Sequence, residues 1–148
     1  MKSQQQALIF LMIRIPISMD NLQIVKEVYR LFGERNIPAV LSYFDNEIQF
    51  VRPGNADIPF AGTFRGIDGM IKMFTLINQS IRLKAFTPEK FFSDENKVIV
   101  LGSDTAEVIT TGKSYTSTWV QAFTLNDSKI VHVQVYMDTL TIANAFHL

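Results

Sequence analysis

Asp138 ends the stretch Ser117 to Asp138, STWVQAFTLNDSKIVHVQVYMD, which reads as two long strands joined by the polar turn Asn126-Asp127-Ser128. A carboxylate can give or take a proton when neighbouring groups hold it in an apolar setting. The adjoining strand supplies the Trp119 indole, the Gln121 amide and the apolar Phe123 ring, so Asp138 and Gln121 are the candidate catalytic pair and Trp119 and Phe123 the candidate substrate walls. A two-residue period places Val131, Val133, Val135 and Met137 on one face of the return strand and His132, Gln134, Tyr136 and Asp138 on the other. On the outgoing strand it groups Trp119, Gln121, Phe123 and Leu125 against Val120, Ala122 and Thr124. Neither strand has a plainly water-facing side, so both faces are expected to be covered. Two readings stay open: Tyr136 and Asp138 look into a pocket, or His132, Gln134, Tyr136 and Asp138 face solvent at the rim of a sheet.

Two further charged residues fit a pocket. Glu107, inside the apolar run Ala106-Glu107-Val108-Ile109, is either an outward-facing residue or a second pocket acid. Arg52 precedes Pro53 at the end of a short strand. It is expected to point to a cavity mouth and hold an acidic side chain or an anionic ligand group, the alternative being an exposed loop arginine. Proton transfer through Asp138 requires that it face the cavity within reach of Gln121, Glu107 or Arg52.

Composition narrows the classes. At 148 residues and 47% hydrophobic content the chain is long enough for one domain with a continuous core. Formal net charge is zero and the 14 basic residues are scattered, which gives no electrostatic footprint for nucleic acid or a membrane surface. There is no cysteine, and the only histidines are His132 and His147, too few imidazoles for a histidine-based metal site unless carboxylates supply the rest. The expectation is no metal, no cofactor and a cytoplasmic location. The apolar run from Ala7 to Ile13 is interrupted by Arg14 and followed by Pro16, a poor secretory signal and too short to span a membrane. Residues 1–18 are read as an N-terminal extension, an edge strand or packing arm, or a mobile tail, and Met19 as the start of the domain at 19–148.

The elements that must position these groups follow in order. Asp20 with Gln23 forms a capping box, and Leu22, Val25, Tyr29 and Phe32 recur on one helical face up to Gly33. Asn36 caps a short second helix with Pro38 in its first turn. Glu47 to Val51 reads as a strand, and a loop rich in Gly, Asn, Asp and Pro leads to Gly66. The third helix carries Ile67, Met70, Ile71, Phe74 and Ile77, whose Phe74 is either a cavity wall or ordinary core. Strands are expected at Ile81 to Phe92, Lys97 to Ser103 and Thr105 to Thr111, before the hairpin at Ser117 to Asp138. The chain is thus α+β, helices first and a bent, mostly antiparallel sheet after.

The order of these segments, with Tyr43-Phe-Asp-Asn-Glu-Ile-Gln-Phe-Val51, Phe60-Ala-Gly62-Thr-Phe-Arg-Gly66, Thr111-Gly112, Trp119 to Ile130 and Tyr136-Met-Asp138, resembles the SnoaL-like branch of the nuclear transport factor 2-like superfamily. That superfamily includes ketosteroid isomerases, polyketide cyclases and limonene-1,2-epoxide hydrolases. The resemblance implies a cone-shaped α+β barrel, with three N-terminal helices packed on a strongly curved mixed sheet around an apolar pocket for a small apolar molecule. It also implies a frequent homodimer through the sheet, for which Val131, Val133, Val135, Met137, Val120 and Ala122 are the expected face. By that resemblance, the isomerase base falls on Arg52 and is missing, while the isomerase oxyanion-hole acid and the cyclase histidine both fall on Gln121. The tyrosine of the isomerase's first helix falls on Val28 or Tyr29. The terminal aspartate of the cyclases and epoxide hydrolases matches Asp138, and the hydrolase arginine and aspartate fall on Thr105 and Glu107. An isomerase, cyclase or hydrolase and a non-catalytic ligand-binding or dimerisation module are the competing functions.

Overall fold

The computed structural model describes residues 19–148. The readings made for residues 1–18 lie outside the described residues. The first helix, α1 (Asn21–Gly33), starts on a reciprocal cap: the Gln23 backbone N–H donates to the Asp20 carboxylate at 2.8 Å, and the Asp20 N–H donates to Gln23 Oε1 at 3.1 Å. Its buried face is Ile24, Val25, Val28 and Leu31. The one-turn α2 (Ile37–Leu41) is capped by Asn36 and buries Val40. Helix α3 (Gly66–Ser80) buries Met70 and Met73, and its first residue, Gly66, has φ 69°, a value that suits glycine.

Among the described residues six strands form one mixed sheet: β1 (Phe44–Arg52), β2 (Gly62–Arg65), β3 (Ile81–Asp94), β4 (Lys97–Val108), β5 (Ser114–Asn126) and β6 (Lys129–Met137), in the order β2-β1-β6-β5-β4-β3. Only the β1–β6 pair is parallel. Asp127 and Ser128, both with positive φ (48° and 63°), make the tight β5–β6 turn, whose backbone twist matches that of the strands. Register shifts interrupt β3 at Leu83/Ala85 and Pro88/Lys90 and the β5–β6 ladder at Thr124/Leu125, and such bulges bend a sheet. The helices fill the concave side, where α1, α3 and the inner residues of β1, β4, β5 and β6 share one core.

Three differences from the sequence pattern matter for the site. First, Lys97 to Val108 is a single strand rather than two, so one alternation runs unbroken through Gly102 and Asp104. Second, a helix α4 (Thr139–Phe146) follows β6 and closes the end of the sheet with Ile142, Ala143 and Ala145 against Ile58, Phe60, Ala106 and Tyr115. Third, the ladder pairs Gln121 with Val135 and Phe123 with Val133, which puts the valines on the concave side with the pocket. Val133 and Val135 are fully buried core and not an interface face, while Val120 and Ala122 lie on the opposite face beside Tyr136 and Gln134. The bulge explains the parity: Ile130 and Val133 both turn inward although three positions apart.

Candidate functional site

Two adjacent strands aim a row of polar groups at the concave side. The buried residues of β4 are Val98, Val100, Gly102, Asp104, Ala106 and Val108, and those of β5 are Tyr115, Ser117, Trp119, Gln121, Phe123 and Leu125. The β4–β5 register sets Asp104 opposite Ser117, Gly102 opposite Trp119 and Ala106 opposite Tyr115. An acid, a hydroxyl, a phenol, an indole and an amide thus converge from one hairpin. Arg52, the last residue of β1, joins them.

Arg52, Asp104, Tyr115 and Gln121 line the polar side of an interior cavity of about 90 Å³, with Ser117 and Trp119 behind them, and its other walls include Val28, Phe32, Met70, Phe74, Phe86 and Phe123. A wider groove of about 920 Å³ between α1, α3 and β3 shares Tyr29, Phe32, Phe74, Ile77 and Phe86 with it. A ligand can therefore seat its polar end inside and extend its body along the groove.

Asp104 is 7% exposed, and Ser117 Oγ donates to its Oδ1 at 2.6 Å. Burial pushes its carboxyl above the usual carboxylate range, against the pull of the Ser117 hydrogen bond and the Arg52 charge. Burial pushes the Arg52 guanidinium the other way, downward, with Tyr115 and Asp104 opposing, yet an arginine remains cationic. Its Nε has no hydrogen-bond partner, Nη2 reaches only Met137 Sδ at 3.9 Å, and the guanidinium lies 5.2 Å from the centre of the Phe60 ring. Burial also raises the Tyr115 phenol, with Asp104 adding to the rise, so it stays a neutral donor.

On the opposite wall, Tyr29 Oη donates to Gln121 Oε1 at 2.5 Å, and burial raises the phenol far above its usual value. That bond fixes the amide and leaves its NH2 end as the donor for a ligand. Trp119 packs behind them, 4.9 Å from Phe86 and 6.1 Å from Tyr29 between ring centres, with a buried Nε1 that has no acceptor. Gly102 makes room for the indole. A Cβ there would stand 2.3 Å from Trp119 Cζ2 and 2.6 Å from the Thr87 carbonyl oxygen.

Of the candidates read from the sequence, the structure brings Gln121, Phe123, Arg52, Tyr29 and Phe74 together around the cavity. Trp119 supports this wall from behind. Asp138 is elsewhere: it is exposed and caps α4, accepting the Thr141 backbone N–H at 3.1 Å and the Thr141 hydroxyl at 2.6 Å. Those bonds hold its carboxyl below the usual range, the reverse of what a buried general acid needs. Glu107 lies on the outer face of β4, taking a hydrogen bond from Arg82 at 2.9 Å across the β3–β4 pair. Tyr136 is 58% exposed on the outer face of β6. Asp104, Tyr115 and Ser117 are the residues the sequence reading missed. Counting by twos from Val98 and Val100 reaches Asp104, and counting back from Trp119 reaches Ser117 and Tyr115. Among the described residues no group of three or more His, Asp or Glu side chains is placed to hold a metal ion, and no helix is long and apolar enough to cross a membrane.

The profile of the SnoaL-like domain matches residues 25–133. The chain belongs to the SnoaL-like domain family. Solved structures repeat the fold of this SnoaL-like domain. An NTF2-like protein from Burkholderia xenovorans LB400 is 28% identical, with a TM-score of 0.78 over 86% of this chain and 95% of that one. TerC, co-crystallised with polyporic acid, is 23% identical, with a TM-score of 0.71 over 85% and 97%. A proposed isomerase from Bacillus subtilis is 21% identical, with a TM-score of 0.72 over 86% and 96%. The comparison with curated proteins found no significant match.

Proposed function

We propose that this SnoaL-like domain binds a small, mostly apolar molecule in the interior cavity and its groove, and moves a proton on it with Asp104 as the general acid and base. The observation that carries this reading is the inward Asp104 carboxyl, held by Ser117 in an apolar cavity and flanked by Arg52 and Tyr115. A carboxyl raised by burial is a stronger base when ionised and an available acid when protonated. The class it fits best is isomerisation or ring closure next to a carbonyl. The Asp104 carboxylate takes a proton from the carbon beside the carbonyl, an enolate forms, and Asp104 returns a proton, the one it took or one exchanged from solvent, to that carbon or to another. The Gln121 NH2, oriented by Tyr29, and the Tyr115 hydroxyl supply donors for the oxygen on which charge develops. Related folds proposed as an isomerase and crystallised with polyporic acid are compatible with this class.

The test is a panel of small cyclic ketones in D2O, with binding read by saturation-transfer NMR and deuterium uptake beside the carbonyl read by proton NMR. Wild type is expected to bind and exchange. Asp104→Asn should bind without exchanging, and Asp138→Asn should do both. Binding by wild type with no exchange beyond buffer would favour a non-catalytic ligand-binding module. Exchange that persists in Asp104→Asn would remove Asp104 from the chemistry.

A further inference from the structure

The cavity contains a cation, Arg52, that has no ion-pair partner among the described residues. Arg52 is the only lysine or arginine among the residues lining it, and no carboxylate lies within ion-pair distance of it among the described residues. Asp104 is the one acid on the cavity wall, and it is bound to Ser117 rather than to Arg52. Both tyrosines on the wall, Tyr29 and Tyr115, are neutral donors. Arg52 is half-buried and its Nε fully so, and a guanidinium drawn out of water without a partner is costly, because the loss of hydration is offset only by hydrogen bonds and an opposite charge. Arg52 has neither in full. Nε is bare, and its neighbour on the same edge, Nη2, touches only a thioether sulfur. Nε and Nη2 form the side-on edge of the fork, spaced for the two oxygens of a carboxylate, and a carboxylate that bridges them displaces Met137, because Nε is closed off from water and Nη2 lies against the sulfur.

Deepening the proposed function, on which this rests, we infer that the ligand carries a carboxylate, which docks on Arg52 and turns the rest of the molecule along the apolar walls of Phe74, Phe86 and Phe123. The ligand carboxylate then supplies the opposite charge that Arg52 lacks within ion-pair distance, which selects an anion over a neutral isostere. It also sets the carbon chain next to the carboxylate against Asp104. The competing arrangement is a water that bridges Asp104 to Arg52 and satisfies the guanidinium within the chain, which would give no preference for an anion.

The probe pair is benzoate and benzamide, which share shape and differ in charge. Calorimetry with wild type should show benzoate binding about tenfold or more tightly than benzamide, as expected for hydrogen bonds made to a charged group. Arg52→Met should bring benzoate down to about the level of benzamide, with a much smaller loss for benzamide, whose neutral carbonyl gives up only a hydrogen bond and no ion pair. Arg52→Lys, which keeps the charge and loses the fork, should fall between. Should Arg52→Met fail to fold, carboxyl-labelled benzoate titrated by carbon-13 NMR on wild type answers the same question, since a carboxylate held on Arg52 has its pKa depressed in the complex. Benzamide binding as well as benzoate, with an undepressed bound benzoate, would overturn the carboxylate inference and leave the apolar small-molecule reading standing. Neither compound entering the cavity would overturn both.

Discussion

The inner face of β4 and the far end of β6 each present an aspartate, and the two regions treat it in opposite ways. Asp104 is enclosed by the sheet and the helices, has a single hydroxyl as a fixed donor, and keeps its proton more readily than a free carboxylate. Asp138 sits in water at the start of α4, receives two donors from Thr141, and loses its proton more readily. What separates them is the balance of desolvation against hydrogen bonds. A strand-end aspartate followed by an apolar helix is a cap by local chemistry, whatever the fold around it. An aspartate in the middle of a strand, on the same parity as four buried apolar residues and a glycine, has no local use and is held there by packing.

The packed region should break first. Gly102→Ala would drive a Cβ to 2.3 and 2.4 Å from the Trp119 ring and 2.6 Å from a backbone carbonyl oxygen, and a carbonyl oxygen within the β3–β4 ladder cannot swing away. The expected loss is on the order of 3 kcal/mol, at the upper end for overpacking a core. Leu140→Ala on α4, where the side chain is 71% exposed, should stay within about 0.5 kcal/mol. Urea unfolding of both variants measures the contrast. Equal stabilities would mean that the inner face of β4 is looser than its contacts imply.

The second test reverses the sign of a pH dependence. The folded-state pKa of Asp104 lies above its unfolded value, so ionisation works against folding. That cost is absent below the usual carboxylate range, grows as pH rises through it, and levels off above the folded value. Asp104→Asn cannot ionise, so it should gain on wild type over that rise and hold the gain at neutral pH. The folded value of Asp138 is depressed, so its contribution is present above the usual range and disappears as pH falls through the folded value. Asp138→Asn should therefore lose stability relative to wild type at neutral pH and converge with it in acid. Unfolding curves from about pH 3 to about pH 8 should show the two differences moving in opposite directions. Parallel movement would show that the two aspartates do not differ in burial as described.

Why one of these aspartates is legible in the sequence and the other is not follows from what fixes each. The capping box at Asp20, the Asn36 cap and the tight turn at Asp127-Ser128 are local, and they stand where the pattern puts them, while the α3 stripe holds except at Ile71, which is 48% exposed with Met73 buried instead. Gln121, Phe123, Arg52, Tyr29 and Phe74 reach the cavity because the order of segments determines the fold. Asp104 is lost where the reading divides the strand, between Ser103 and Thr105, just past Gly102. Glycine weakens a strand on propensity, and here it is retained because the Trp119 ring occupies the space of its missing side chain. That contact is nonlocal, so the strand divides in sequence and its parity is not carried through. Asp138 is misplaced for the opposite reason: its cap signal is local, and Leu140, Ile142, Ala143 and Ala145 after it are the apolar residues of a short helix.

Tyr29→Phe probes the side of the cavity away from both aspartates. It removes the 2.5 Å hydrogen bond to Gln121 and leaves the amide oxygen without its donor, with the aromatic contacts to Trp119 and Phe86 unchanged in shape. About 1 kcal/mol of stability should be lost, the usual net worth of a partly buried hydrogen bond. A ligand that relies on the Gln121 NH2 should bind more weakly as the amide is freed to rotate, so the affinity of the ketone panel is measured beside the unfolding curve. Loss of stability with unchanged affinity would assign Gln121 to structure alone.

The smallest effect is expected at Glu107, a carboxylate on the same strand as Asp104 and of opposite parity. It takes its hydrogen bond from Arg82 at 2.9 Å on the outer face, where the two side chains are 28% and 63% exposed. A pair this open to water gains little, because solvent screens the attraction and two long side chains must be held in one geometry, so its worth is between about 0 and 1 kcal/mol. Glu107→Gln should therefore cost less than about 1 kcal/mol, and the cost should shrink in 1 M salt, where the screening length falls to about 3 Å. Benzoate and benzamide affinities should not change, since the whole thickness of the sheet lies between Glu107 and the cavity. A fall in benzoate affinity in Glu107→Gln would mean that the outer face of β4 takes part in ligand binding. It would break the contrast between an aspartate that looks inward and a glutamate, three residues on, that looks out.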